Sequence, residues 1–349
     1  MRAAPRVTEY AELKQILTGQ GLFDRQPVYY TYKALQALCC LGLAMGIFLA
    51  SPPFWLQLLN AAFLAFVFTQ IAFIGHDAGH RQIFQSARAS AVLGLFCTLL
   101  TAISYSWWTE KHAQHHRHPN HLGRDPDVKL RFLAFSEEQT CGIPGWRRVI
   151  MTYQAQLLVP MLLLQGVAIR AHSLRFLLAS RAKFSALELL LIVGHIVLYG
   201  GVVYAWLGIW QGIAFILVHQ MLFGLYMGSV FAPNHKGMLM VKGDSPMDRL
   251  RQQVLTARNV RAHPLTDFWF GGLNYQIEHH LFPQMARNRL QAAQATVRTF
   301  CQARAIPYHE TSLVQAYREI WRYLDRVSAP RRNADEGPQR SLEELQSKP

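Results

Sequence analysis

The sequence predicts an all-α integral membrane protein, a four-transmembrane-helix bundle whose long connections all lie on one side of the bilayer. Three observations predict it. Of 349 residues, 51% are hydrophobic and only 16% charged, against roughly 25% charged in a typical soluble domain. The apolar residues gather into runs close to the ~20 residues that cross a bilayer as a helix. The two shortest links between those runs contain no Lys or Arg.

Each element follows in order. An N-terminal arm, residues 1–33, is polar and of mixed charge, without the apolar core of a cleavable signal peptide. The first span is placed at residues 34–50, "ALQALCCLGLAMGIFLA", and the preceding "YYTYK" puts aromatics at the interface. Ser51-Pro52-Pro53 turns the chain into a second uncharged span, residues 54–74. The third, residues 187–207, carries one acid, Glu188, and the fourth, residues 213–232, carries none. Helices buried in a soluble core would explain one such run, but not four. Because the Ser51–Pro53 and 208–212 links lack basic residues, all 35 Lys and Arg fall on the other side. The positive-inside rule makes that side cytoplasmic. The net charge of +14 therefore needs no nucleic acid, and basic runs such as "GWRRV" face anionic headgroups.

Two further apolar stretches, residues 91–107 and 149–169, are interrupted by Thr and Ser or by Gln and Pro160. If one alone crossed, the later basic loops would be inverted, so both read as interfacial or packed on the bundle. The cytoplasmic regions are then 75–186 and 233–327. Residues 328–349 read as a disordered tail. The 5 cysteines form no C-x-x-C pair, which indicates neither disulfides nor an iron–sulfur site.

Three histidine-bearing segments fall on the cytoplasmic side. "HDAGH" (His76 to His80) closes the second span, "HAQHHRHPNH" crowds imidazoles into residues 112–121, and "QIEHH" (Gln276 to His280) follows the fourth span. A dense histidine run can be a solvated face or an adventitious metal tract. Spacing argues for more. His76 and His80 are i and i+4; His112, His115 and His116 are i, i+3 and i+4, which is one helix face. Gln276, His279 and His280 repeat that pattern. Three such faces can surround a common centre, as in di-metal bundles, with imidazole replacing most carboxylates. The box histidines outnumber the three or four ligands of a zinc ion, so two ions of higher coordination number fit better. Imidazole suits Zn, Cu, Fe and Ni alike. A nitrogen-rich dinuclear site at a bilayer surface suits oxygen chemistry on a lipid chain.

These segments resemble the three histidine boxes, H-x-x-x-H, H-x-x-H-H and Q-x-x-H-H, of the membrane fatty acid desaturase family. "HHRHPNHLGRDPDV" and "DFWFGGLNYQIEHHLFPQMARNRL" are similar to the extended motifs of its acyl-lipid and front-end branch. Bacterial members are especially similar, down to "IPYHETSLVQAY". The resemblance runs from about Tyr30 to Val327. It implies a four-helix transmembrane bundle under a cytoplasmic helical cap that holds a histidine-rich di-metal site. It implies a non-haem centre of two Fe ions that uses O2 to remove two hydrogens from an acyl chain. The ligands it implies are His76, His80, His112, His115, His116, His279 and His280. His235 in "APNHKG" is a further ligand, and Asn234 a weaker candidate acting through water.

Gln276 stands where many relatives have His. Its amide oxygen is neutral and harder than imidazole, so it is a ligand or a water-mediated neighbour. Asp77 and Asp267 are expected to accept the free N–H of ligating histidines and fix their tautomers. For Asp125 and Asp127, caps or salt bridges to Arg serve equally well. His118 and His121 lie outside the box pattern, as loop residues or hydrogen-bonding neighbours of the ligands. His195 and His219, inside apolar spans, read as packing residues, and His172, His263 and His309 have no motif support. Tyr105, Trp107 and Trp108 line an acyl channel or form an interfacial belt.

The implied substrate is an acyl lipid or acyl thioester, with membrane lipids as surroundings and no nucleic-acid partner. Neither a flavin or dinucleotide fingerprint nor a four-cysteine motif is present, and the haem-binding HPGG motif of fused relatives is absent. Electrons are therefore expected from a separate donor: a ferredoxin, a cytochrome or a flavin reductase. The setting implied is a bacterial plasma membrane, with the active site on the cytoplasmic side. A lipid hydroxylase, epoxidase or ketolase with the same boxes is one alternative. A zinc-dependent membrane amide hydrolase is another, although it needs more spans and fewer ligands.

Overall fold

A computed structural model describes residues 8–179 and 183–346, with side chains as far as residue 332. The ends of the expected arm and tail, residues 1–7 and 347–349, lie outside it. Helix α1 (Glu9–Gly19) begins at Thr8, whose hydroxyl accepts the Ala11 amide. α2 (Pro27–Leu49) starts earlier than residue 34 because Pro27 sits in the first turn, where a missing N–H costs nothing. After the Ser51–Pro53 turn, α3 (Phe54–Gly79) runs back along it. Two buried amides staple this hairpin: Gln57 donates to the Phe48 carbonyl at 2.9 Å and Asn60 to that of Ala44 at 3.0 Å. α3 continues past residue 74, so that its final turns carry His76 and lead into His80.

α4 (Ala87–Thr101) and α5 (Tyr105–Arg117) meet at 111°. The bend is made by Ala102 in the left-handed region (φ 56°), and Ser104 then caps α5 by accepting the Trp107 amide. α6 (Trp146–Thr152), α7 (Leu158–Leu163) and α8 (Gln165–Ala179) follow, and α7 and α8 pack along α9 (Ser185–His235). The α8–α9 crossing is close enough to need glycine on both sides. A Cβ on Gly224 would lie 2.6 Å from the Gly166 nitrogen.

α9 is not straight. Gly208 has φ 70° and breaks it. The Tyr199 hydroxyl lies 2.7 Å from His219 Nδ1, where a continuous helix would hold them about 30 Å apart. The chain therefore doubles back at Gly208 into two arms, residues 185–207 and 209–235. By length and composition α2, α3 and α9 are apolar enough to cross a membrane.

A second core lies beyond these helices. α10 (Arg249–Leu255), β1 (Asn259–Val260), α11 (Pro264–Phe270), α12 (Gln276–Leu281) and α13 (Arg287–Gln302) fold with α1. Leu13, Leu17, Val254, Leu281, Leu290 and Val297 are fully buried together there. β2 (Glu310–Thr311) pairs in parallel with β1, a two-residue exception to the all-helical expectation. The last helix, α14 (Leu313–Gln346), runs on past residue 328, where the tail was expected to begin. Val327 packs on Met151 and Ala134, the buried Ser328 hydroxyl donates to the Met151 carbonyl at 2.9 Å, and Arg332 donates to that of Thr152. Beyond Val327 the docking is carried by the two polar side chains of Ser328 and Arg332, which composition does not register.

Candidate metal centre

Four helices deliver eight histidines to one place. His76 and His80 come from the end of α3, and His112, His115 and His116 from one face of α5. His235 ends α9, and His279 and His280 lie on α12. Ligand atoms of His76, His80, His112 and His279 lie within 4.8 Å of one another, as do those of His115, His235 and His280. His116 joins the two groups, with Nε2 3.0 Å from His112 Nε2 and its ring stacked on His280 at 4.2 Å.

The partners of Nδ1 decide what Nε2 can do. Asp77 faces His76 Nδ1 at 3.0 Å, and both Asp125 oxygens face His115 Nδ1 at 3.0 and 3.1 Å. The Thr256 carbonyl faces His235 Nδ1 and the Gln253 amide oxygen faces His280 Nδ1, each at 2.9 Å. These partners only accept, so Nδ1 carries the proton and Nε2 keeps its lone pair. His115 and His235 then bring two such lone pairs to 3.3 Å. That contact is repulsive unless a cation lies against both. Five more ring nitrogens, on His80, His116, His279 and His280, are buried without a hydrogen-bond partner among the described residues. Burial, and after it the neighbouring imidazoles, hold His112, His116, His279 and His280 well below the ordinary imidazole value. Neutral imidazoles are what a metal requires. The donor set fits two cations of the kind that imidazole favours.

Asp77 is itself held. Its other oxygen pairs with Arg287, which also donates to the Gly271 carbonyl at 2.9 Å. Asp125 accepts the amides of Asn120 and Asp127, each at 2.8 Å, so its direction is set before it meets His115. Gln253, Thr256 and Arg287 escape the sequence reading: one is a backbone carbonyl, and the other two lie outside the boxes.

Other expected residues take different places. Asp267 accepts from Asn274 at 2.7 Å and Tyr275 at 3.0 Å, steadying the loop before α12 rather than a ligand. His118 closes α5 through its backbone amide, and among the described residues its ring meets no ligand histidine. Asn234 donates to the Leu273 carbonyl and to Gln276 Oε1, which turns the Gln276 NH2 toward His235 Nε2 at 2.9 Å. Gln276 thus presents a donor, not an oxygen, to that nitrogen.

A cavity of about 250 Å³ adjoins the centre. Its wall includes His76, His112, His115, His235 and His279, with Tyr105, Trp107 and Trp108 beside them. Trp108 stacks on His112 at 4.4 Å. It fits only because residue 79 is glycine, whose Cβ would lie 2.3 Å from the indole. His172, without a motif, lines the same cavity.

A model described as fatty acid desaturase matches residues 53–312. The chain is 26% identical to an acyl-lipid (9-3)-desaturase of Physcomitrium patens over 92% of its own length and 62% of that protein. It is 28% identical to a Delta(8)-fatty-acid desaturase of Euglena gracilis over 90% of its length and 78% of the relative. It is also 28% identical to the Delta(6)-fatty-acid desaturase fat-3 of Caenorhabditis elegans, over 86% and 71% respectively. The chain thus spans less than two thirds of the moss protein.

Proposed function

This chain belongs to the fatty acid desaturase family, and we propose that it is a membrane enzyme that introduces a C=C double bond into an acyl chain, using O2 and two electrons. In this reading His76, His80, His112, His115, His116, His235, His279 and His280 hold two irons. One observation carries it: imidazoles of both ligand groups wall the largely apolar cavity, His76, His112 and His279 from one group and His115 and His235 from the other. The irons, when bound, supply the oxygen activation that an unactivated methylene needs. The chain's own residues hold the metals with neutral nitrogens, thread the acyl chain past them and keep water out with Trp107, Trp108 and Phe231. The reaction balances as loss of two hydrogens from adjacent carbons, with O2, two electrons and two protons leaving as two waters.

The membrane reading follows the helices. α2, α3 and the two arms of α9 make four crossings. The Ser51–Pro53 and Gly208 turns lie at one face, and the histidines lie at the cytoplasmic face under a cap of α1 and α10–α14. The absence of Lys and Arg from both turns supports that orientation. In this reading the setting is a bacterial plasma membrane, and a ferredoxin, cytochrome or flavin reductase brings the electrons. The likeness to an acyl-lipid desaturase and to Delta(8) and Delta(6) fatty-acid desaturases supports a fatty-acyl substrate, in this reading an acyl lipid or acyl thioester.

Expression in a host with a simple fatty-acid profile, followed by mass spectrometric localisation of double bonds, tests the activity. A product lighter by two hydrogens is expected; gain of an oxygen atom would assign a hydroxylase, epoxidase or ketolase instead. His116→Ala is expected to lose iron and product together, while His195→Ala keeps both. Full turnover by His116→Ala with normal iron would overturn the ligand set.

A further inference from the structure

Glu188, the single acid of the third apolar segment, is fully buried, and no step of the proposed reaction uses it. An ionisable side chain inside an apolar span is rare and commonly tied to function. From the first arm of α9 its carboxylate faces the start of α5. The Ser106 amide donates to both oxygens at 3.2 Å, and the hydroxyls of Ser104 and Ser106 donate to one oxygen each. A helix N-terminus carries amides that its own turns leave unsatisfied, and its dipole favours a negative charge. Here those amides are all taken. Tyr105 donates to Thr98 Oγ1 at 3.2 Å and Trp107 to Ser104 Oγ at 3.0 Å, which leaves Ser106 to Glu188.

The other side of the bend is capped by the opposite charge. Near the end of α4 the Leu99 carbonyl meets His195 Nδ1 at 2.9 Å, and the Thr101 carbonyl accepts from Arg170 Nε at 3.1 Å. Cations suit a helix C-terminus as anions suit an N-terminus. The 111° bend is thus clamped by α8 and α9, with an acid on one side and a guanidinium on the other. Only the α5 side leads to the metals. His112, His115 and His116 follow Ser106 on the same helix, about 9–15 Å further along it. A tilt of about 10° at the first turn would carry His116 by about 2.5 Å, whereas metal–ligand distances hold to about 0.2 Å.

We propose that Glu188 is a positioning residue for the metal centre: from α9 it fixes the first turn of α5 and so sets where His112, His115 and His116 stand. This rests on the reading of those three as iron ligands.

Iron titration of the full-length protein in detergent, against a competing chelator, tests this without any substrate. Glu188→Ala is expected to weaken iron binding about tenfold or more. Glu188→Gln keeps an oxygen for the Ser106 amide; it is expected to recover part of that loss, and it serves where Glu188→Ala does not fold. His195→Ala loosens the α4 side of the same bend and is expected to lower Tm while iron affinity stays within about twofold, since no ligand lies on that side. At saturating iron the Mössbauer spectrum of Glu188→Gln is expected to differ from that of the wild type, and that of His195→Ala to superimpose on it. Wild-type affinity and spectrum in Glu188→Gln, or an equal loss of iron in His195→Ala, would reduce Glu188 to a stabilising contact and overturn the proposal. Failure of the wild type itself to bind iron would instead strike the ligand reading, and this proposal with it.

Discussion

Asp125 grips His115 with both carboxylate oxygens, at 3.0 and 3.1 Å from Nδ1, while backbone amides of Asn120 and Asp127 hold those oxygens in place. The proton is thereby fixed on Nδ1, and His115 Nε2 is left to face His235. A carboxylate in this position also raises the basicity of the ligand. Asp125→Asn keeps the shape but can turn its NH2 toward the ring and favour the other tautomer. Iron affinity is expected to fall about tenfold to a hundredfold, read by competitive chelator titration of the purified protein. An unchanged affinity would remove Asp125 from the support of the centre.

The Gly79–Trp108 contact yields a second prediction. Gly79→Ala places a methyl group 2.3 Å from an indole that already stacks on His112. Overpacking of this kind costs about 1–3 kcal/mol, and here the displaced ring moves a ligand as well. Activity and thermal stability should both fall. Adding Trp108→Leu should recover part of the lost stability, because residues in contact couple non-additively. Strict additivity in that double-mutant cycle would show that the contact is not the cause.

Arg258 gives a third. It is fully buried, and it donates to the carbonyls of Pro233 and Lys236 on either side of Asn234-His235 while pairing with Glu319. It thus ties the open end of α9 to α14. Arg258→Met strands those carbonyls, each at about 1–3 kcal/mol. A lower Tm is expected, with partial loss of iron while helix content by circular dichroism is retained. Wild-type iron content at the lower Tm would limit Arg258 to a purely stabilising part.

Much of the centre was legible because ligand chemistry restricts both residue type and helical spacing. His76 and His80, or His279 and His280, can be read from the chain alone for that reason. Their convergence comes from the ends of α3 and α9 meeting the short helices α5 and α12. The supporting groups were less legible. Thr256 acts through its carbonyl, which any residue supplies, and Gln253 reaches His280 from α10, outside every box. Asp267 and His118 misled because nearness in sequence to a box is not nearness to a ligand. Gly208 stood in an expected link, and its positive φ is what a reversal there needs. The β1–β2 pair is too short for any alternation to register, and the docking of Ser328 depends on Met151, far away in the chain.

The ligands of the second group, His115, His235 and His280, sit on three helices spread over much of the polypeptide. No stretch synthesised before residue 280 can complete that group, and the first group likewise waits for His279, so neither closes until α12 has been made. Full occupancy of both groups is thus a mark of finished assembly: a molecule truncated ahead of α12 lacks His279 from one group and His280 from the other.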